Sequence, residues 1–350
     1  MMNKKILFLL IGFFSFFGCY KPTIPWQVTA SSIVDTGQHV RAAVNWKGGP
    51  DGTPINITVI YELNIDENQT NWQPIARHDN WKNVQSIDFS EDGSFVVLAA
   101  DSKNRDIWIW EIGKLPVEFT SNKDIEGDVT LIEDSIIFRK KEGKAHNLFV
   151  KSLNGLDNKR LTDGSSTRWN LKASEGEEGV VLLHNVRSGM NIGLSAIGID
   201  GSRPQRVFDE DGPEVSFDIS ANDVIFSNEN NWFLCSSKAG MDFSNSVCVK
   251  NDAPSAFGWI GDVFIINQDV YGGIVADESS PNANILLYIF DNQIYEFAYE
   301  NNVIKHVQSE GDKLSLRINN PMFGDFFAIL KIGEFELEEL PVIYAPESDN

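Results

Sequence analysis

Residue types that most often carry chemistry are thinly spread along this sequence. Five histidines, His39, His78, His146, His184 and His306, stand 38 or more residues apart, and none falls in a His-x-x-Glu-His or similar metal-ligand spacing. The nearest approach to a nucleophile elbow is Gly193-Leu194-Ser195-Ala196-Ile197, where Ile197 occupies the place of the final glycine. Asp209-Glu210-Asp211-Gly212 and the Asp51-Gly52 turn lack the alternating oxygen ligands and closing glutamate of a calcium loop, so both read as solvated turns. With 50 Asp plus Glu, no pair of carboxylates can be singled out for glycoside hydrolysis. The expectation is a non-enzymatic chain with no catalytic residue, no metal ligand and no cofactor.

The three cysteines are more informative. Cys19 follows Asn3-Lys4-Lys5, an apolar run from Ile6 to Phe17, and Gly18. That run has the shape of a signal peptide and is too short to cross a bilayer, which takes about 20 apolar residues. Phe16-Phe17-Gly18-Cys19 resembles the lipobox of bacterial lipoproteins, in which a small residue precedes the cysteine that is lipidated. Gly18 and Cys19 match, whereas Phe16 and Phe17 stand where leucine and a small residue are usual. The resemblance implies a signal peptide over 1–18, lipidation at Cys19, and a lipidated N-terminus and tether over 19–37. It also implies a bacterial cell-envelope location, lipid-anchored, at the outer membrane facing the periplasm. Cys235 and Cys248 are left, thirteen apart, in two short apolar stretches that read as neighbouring antiparallel strands. An export compartment permits their pairing, and two buried free thiols are the alternative.

The elements that must carry these residues are strands. From about residue 38 the chain shows runs of four to eight residues rich in Val, Ile, Phe and Trp, broken by Gly, Asn, Asp and Ser, with no long stretch of period 3.6. The clearest unit runs Ser86-Ile87-Asp88-Phe89-Ser90-Glu91-Asp92-Gly93, then Phe95 to Ala99, then Asp106 to Glu111. Further copies place first strands near 129, 170, 215 and 257, with weaker units near 257 and 314 and a partial one over Val40 to Ala76. A period in the forties with four short strands marks an all-β propeller of four-stranded blades. The sequence predicts a propeller over 38–345, of six or seven blades with seven favoured, and a tail over 346–350. Ser90-Glu91-Asp92-Gly93, Asn147 to Val150 with Arg160 to Gly164, and Asn191-Ile192 with Asp200-Gly201 resemble the repeats of TolB and related WD40-like propeller proteins. These motifs set turns and strand ends, so the resemblance implies fold and little about function. Trp108 and Trp110 alternate on a strand, so one is expected to face a neighbouring blade, while Trp72 and Trp81 fall at predicted loops and are the ones expected to be exposed, with packing favoured over stacking on a ligand.

Net charge bounds the partners. The chain carries 29 Lys plus Arg against 50 Asp plus Glu and a formal charge of -21, which argues against unassisted binding to a nucleic-acid backbone or to anionic lipid. The expected role is a scaffold that binds a protein partner in the cell envelope, attached to the membrane through its N-terminal lipid. A propeller that holds a small molecule or glycan, as a sensor or receptor, is the alternative, and an enzyme with its site on the propeller axis is the third reading.

Overall fold

A computed structural model describes residues 24–346 apart from 50–53, 65–70, 102–103, 122, 155–157, 177–178, 189–190, 203–204, 209–213, 221–222, 229–230, 237–246, 252–259, 277–283, 291–292, 299–301, 321–323 and 333–336. It is a seven-bladed β-propeller, with each blade a four-stranded antiparallel sheet. The innermost strands are, in order of blade, Ile24–Asp35, Asn83–Phe89, Glu126–Ile132, Thr167–Gly176, Glu214–Ser220, Ile260–Asn267 and Val303–Glu310. Every blade is built from four consecutive strands, so no strand is exchanged between the first and last blades. Two faces follow from this meander. Innermost strands begin, and blades are joined, on what we call the entry face; the turn from first to second strand lies on the opposite, turn face.

Burial explains why the second and third strands read as continuous apolar runs. In Phe95–Asp101, Val96 through Ala100 are all buried, because side chains on both surfaces of the blade meet a neighbouring blade. The core accordingly divides into seven clusters, one at each interface between blades. Val34, Ala43 and Ile60 of blade 1 pack on Trp81, Val96 and Trp110 of blade 2. The ring closes in the same way, with Val28, Trp46 and Trp72 of blade 1 against Phe327, Ile329 and Ile343 at blade 7. Polar contacts reinforce that last interface. The Val28 amide donates to Asp325 Oδ2 at 3.1 Å, Arg317 Nη1 donates to the Val28 carbonyl at 2.8 Å, and Lys313 pairs with Asp35. The turn after the second innermost strand needs Gly93, whose φ of 66° places it against Thr36 and Val34 where a side chain would be strained.

Several boundaries differ from the sequence expectation. Residues 24–35, expected in the tether, form the innermost strand of blade 1. Its stretch Thr29-Ala30-Ser31 lines the axial cavity and, with Ser32, lacks the bulky aliphatic residues by which the other strands announce themselves. The last blade starts at Val303, ahead of the expected 314, because its first strand carries the polar residues Lys305, His306, Gln308 and Ser309. Trp72 and Trp81 are buried, at 9% and 4% exposure. Trp72 donates its indole N–H to the Pro341 carbonyl across the ring closure, and Trp81 packs among His78, Trp108 and Trp110. They are packing residues, and the short segments holding them were mistaken for exposed loops.

Candidate functional site

The seven innermost strands surround a cavity of about 630 Å³ on the propeller axis. Each strand enters it through a β-bulge. The register slips at Thr29, Gln85, Asp128, Asn170, Ser216, Asp262 and Lys305, with a second slip in blades 1 and 6, and such slips re-aim side chains out of strict alternation. Some of these residues reach sideways to the next blade. Gln85 Nε2 donates to Asp128 Oδ1 at 3.0 Å, and Asp262 is hydrogen-bonded to His306 Nδ1.

A Ser-x-Asp-x-Ser string occurs in two innermost strands and does the same work in both. In Ser86-Ile87-Asp88-Phe89-Ser90, Ser86 Oγ accepts from the Val129 amide at 2.9 Å and Asp88 Oδ2 from the Leu131 amide at 2.8 Å. In Ser216-Phe217-Asp218-Ile219-Ser220, Ser216 Oγ accepts from the Val263 amide and Asp218 Oδ2 from the Ile265 amide, each at 3.1 Å. The serine and aspartate thus satisfy backbone donors of the following innermost strand, which has no sheet partner on that side.

Charge in the cavity is centred on Lys172 of blade 4. Its ammonium lies 3.1 Å from Asp218 Oδ1 of blade 5. Burial opposes the charge, but Asp218, with Asp262 of blade 6 and Asp88 of blade 2 further off, outweighs it and raises the Lys172 pKa above the ordinary lysine value. Asp218 also accepts from the Ser309 hydroxyl of blade 7. Burial pushes the Asp88 carboxyl up, against the Leu131 amide, the Thr130 hydroxyl and the Phe89 amide that favour its anion. At Asp262 the balance goes the other way: burial raises it, but His306 and Lys172 hold the carboxyl below its ordinary value. The result is a lysine, three aspartates and a histidine from five blades, with Lys172 paired to Asp218, Asp262 to His306, and Asp88 held by amides and hydroxyls. Ser309 bonds to Asp218, and His306 to Asp262.

Residues singled out from the sequence are placed elsewhere. Cys19, Asp51-Gly52 and Asp209 to Asp211 lie outside the described residues. Cys235 and Cys248 sit opposite one another on the third and fourth strands of blade 5, Cα atoms 4.1 Å apart, and form a disulfide. The histidines stay apart: His184 is buried in blade 4, His78 packs on Trp81, and among the five only His306 lines the cavity. Ser195 lies inside the strand Asn191–Gly198, as its spacing implied. Among the described residues no three His, Cys, Asp or Glu are grouped as metal ligands. The cavity residues Lys172, Asp88 and Asp218, and Asp262 behind His306, were missed. The repeated Ser-x-Asp was the available signal, since alternation alone would make those positions ordinary turn-proximal polars.

No family model and no curated protein matches the chain. Among solved structures it is similar to the β-propeller domain of the Trilobed protease from Pyrococcus furiosus, described as having an open velcro topology, at TM-score 0.58 and 12% identity over 91% of this chain and 96% of that one. The acylaminoacyl peptidase of Pyrococcus horikoshii matches at TM-score 0.54 and 10% identity, over 92% of this chain and 53% of the peptidase, so this chain spans about half that enzyme's length. TolB from Acinetobacter baumannii matches at TM-score 0.40 and 14% identity over 67% of this chain, a likeness too distant to argue from. What this chain shares with the first two is the propeller fold.

Proposed function

We propose that this chain is a lipid-anchored propeller of the bacterial cell envelope, at the outer membrane facing the periplasm, and that it is a non-enzymatic scaffold binding a protein partner. One contrast carries the reading. Deep in the cavity Lys172 pairs with Asp218, and Asp262 behind the lining pairs with His306, whereas Glu91 and Glu133 at the cavity mouth and Asp134 and Asp269 on the turn face are exposed and have no ion pair among the described residues. Uncompensated charge at the surface favours association with a protein of opposite charge. The test is to isolate the tagged protein from its own envelope in mild detergent, with Cys19→Ser and a Glu91→Lys, Glu133→Lys variant alongside. A stoichiometric partner released by salt and lost in the charge-reversed variant is expected. A partner retained by that variant, or none, would sink the reading.

The cavity favours the second reading, a small polar ligand on the axis. It is deep and charged, and Asp218 is the one hydrogen-bond partner of Lys172 among the described residues, which leaves two ammonium donors for hydroxyl or carbonyl acceptors. A ligand there would raise the melting temperature of the parent protein and not of Lys172→Met.

A further inference from the structure

We infer that the turn-face sector of blades 2 and 3 is the docking surface for a protein partner that presents apolar side chains flanked by Lys or Arg. The inference rests on the scaffold reading above and deepens it by naming the surface and the chemistry of the partner. Leu115, 82% exposed, is the most exposed large apolar side chain among the described residues, and Val117, two residues on, is 65% exposed. They lie in and beside the turn from the third to the fourth strand of blade 2, which in an antiparallel meander falls on the turn face. That turn is pinned to the blade. The Ile112 amide donates to the Ser94 carbonyl, the Lys114 amide to the Glu111 carbonyl and the Trp110 indole N–H to the Lys114 carbonyl, each at 3.0 Å. Pro116 fixes its own φ on the other side. Leu115 is thus presented on backbone that has little freedom left to lose when a partner binds.

The exposed pair continues an apolar seam. Val117 is directly opposite Ile109, so the two side chains share one surface of the sheet. Ile109 is half-buried with Phe95, Phe119 and Leu153 at the interface of blades 2 and 3, and the Leu153 amide donates to the Asp134 carbonyl at 2.9 Å, which ties the seam to the first turn of blade 3. A lone surface leucine is ordinary, but a seam running from a half-buried interface to two exposed side chains on fixed backbone has the anatomy of an interface core. Charge around it is one-sided. The described cations in and beside the sector are engaged: Arg41 with Glu62 and the Gly93 carbonyl, Lys114 with Glu111 at 2.7 Å, Lys151 with the Phe119 carbonyl and ring, and Lys159 with the Asp200 carbonyl. Glu91, Asp92, Glu118, Glu133 and Asp134 are exposed and have no ion pair among the described residues. The undescribed stretch 155–157 of blade 3 brings a further acid, Asp157, and no base. A second copy of this chain would set the same carboxylates against themselves, and an anionic bilayer would be repelled by them. A protein surface with Lys or Arg around apolar side chains meets both the seam and its charge.

The test places the photoreactive residue p-benzoylphenylalanine at position 117 and, as a control, at position 55, where Ile55 is exposed at the entry-face end of a blade 1 strand. Envelopes of the native host are irradiated and the cross-linked peptide is sequenced by mass spectrometry. The protein it comes from is then purified and titrated against the parent chain and against Leu115→Ser. A cross-link from 117 and none from 55 is expected, to a peptide with Lys or Arg among apolar residues. The Kd should be about five-fold or more weaker for Leu115→Ser, and weaker also for the Glu91→Lys, Glu133→Lys variant. Leu115→Ser should keep the urea midpoint of the parent, because the side chain it shortens is exposed, so lost binding would not be lost fold. A cross-link from 55 as strong as from 117, one to a second copy of this chain or to lipid, a peptide without basic residues, or an unchanged Kd in Leu115→Ser would each overturn the inference. A partner that copurifies with the parent and binds Leu115→Ser equally well overturns this surface and leaves the scaffold reading standing, whereas a parent with no partner overturns both.

Discussion

His184 shows how much one side chain contributes here. It is 2% exposed, and burial lowers its pKa from the model-peptide 6.5 to about 4, so it folds as the neutral imidazole. Because the folded pKa is depressed, the unfolded chain takes up a proton first as pH falls. Stability from this residue is therefore complete above pH 6.5 and declines toward pH 4. Between pH 7 and pH 4.5 the loss should be about 2–3 kcal/mol, measured as a fall in urea midpoint that is smaller in His184→Gln, where half-buried His78 and His146 still contribute. Equal slopes for the two proteins would refute the assignment. Lys172 sets the opposite case, a charge retained rather than removed. In Lys172→Met the Asp218 carboxylate keeps Ser309 and the Ile265 amide but loses its counter-ion, with Asp262 and Asp88 nearby. Removing one partner of a fully buried pair costs about 3–5 kcal/mol, but 32% of the lysine side chain still meets solvent, so a loss of about 2 kcal/mol is expected in urea unfolding at pH 7. No change would mean that channel water already screens the three aspartates from one another.

Blades are held as units by pairing within the sheet and as neighbours by the apolar clusters, and blade 5 adds a covalent tie. The Cys235–Cys248 disulfide joins its third and fourth strands across thirteen residues of sequence. A loop of that length gives up to about 3 kcal/mol through the unfolded chain. The double variant Cys235→Ala, Cys248→Ala should lose that much or less in urea unfolding, and reduction of the parent should reproduce the loss. Two titratable thiols in the native parent protein would contradict the pairing. This scale was also the most legible in the sequence. Val96-Val97-Leu98 between an Asp-Gly turn and Ile107 to Trp110 reads as two doubly buried strands because stacked blades demand apolar residues on both surfaces. Innermost strands obey a different demand, since one surface meets a polar axis. Thr29 to Ser32 and Lys305 to Ser309 therefore escaped a reading tuned to apolar runs, while Asp88, Lys172 and Asp218 fell in strands that were read without their polar side chains being placed on the axis. The ion cluster at Lys172 was illegible for a further reason: its members lie in five blades, and only the closed ring brings them together.

At the scale of the whole ring, stability depends on how the gap between blades 7 and 1 is held, because no strand crosses it. The interface carries an apolar cluster like the other six, and adds the Asp325 contact to the Val28 amide, the Arg317 contact to its carbonyl, the Lys313–Asp35 pair and the Trp72–Pro341 bond. Between blades 3 and 4 the apolar cluster is smaller, built on Ile137, Leu148, Leu161, Leu182 and Ile197, and the polar contacts run largely through Arg168, which donates to Asn147 Oδ1 at 3.0 Å and to the Asp163 carbonyl at 3.1 Å. Both ends of the described chain lie near Gly324 on the entry face, with Trp26 against its backbone and Tyr344 against Phe326, so a short linker can join them. New termini at Gly164, an exposed glycine at φ 106° in the segment joining blades 3 and 4, would then move the gap to the weaker interface. Such a circular permutant should fold to the same propeller but unfold at lower urea concentration than the parent, because the covalent join reinforces a closure that was already strong. An Asp325→Ala substitution separates this explanation from a general cost of permutation. It leaves the Val28 amide unpaired in a buried position, worth about 1–3 kcal/mol, and should destabilise the parent more than the permutant, in which the linker holds the two blades together. Equal losses in both backgrounds would show that the 7–1 contacts act only within their own interface and do not govern opening of the ring.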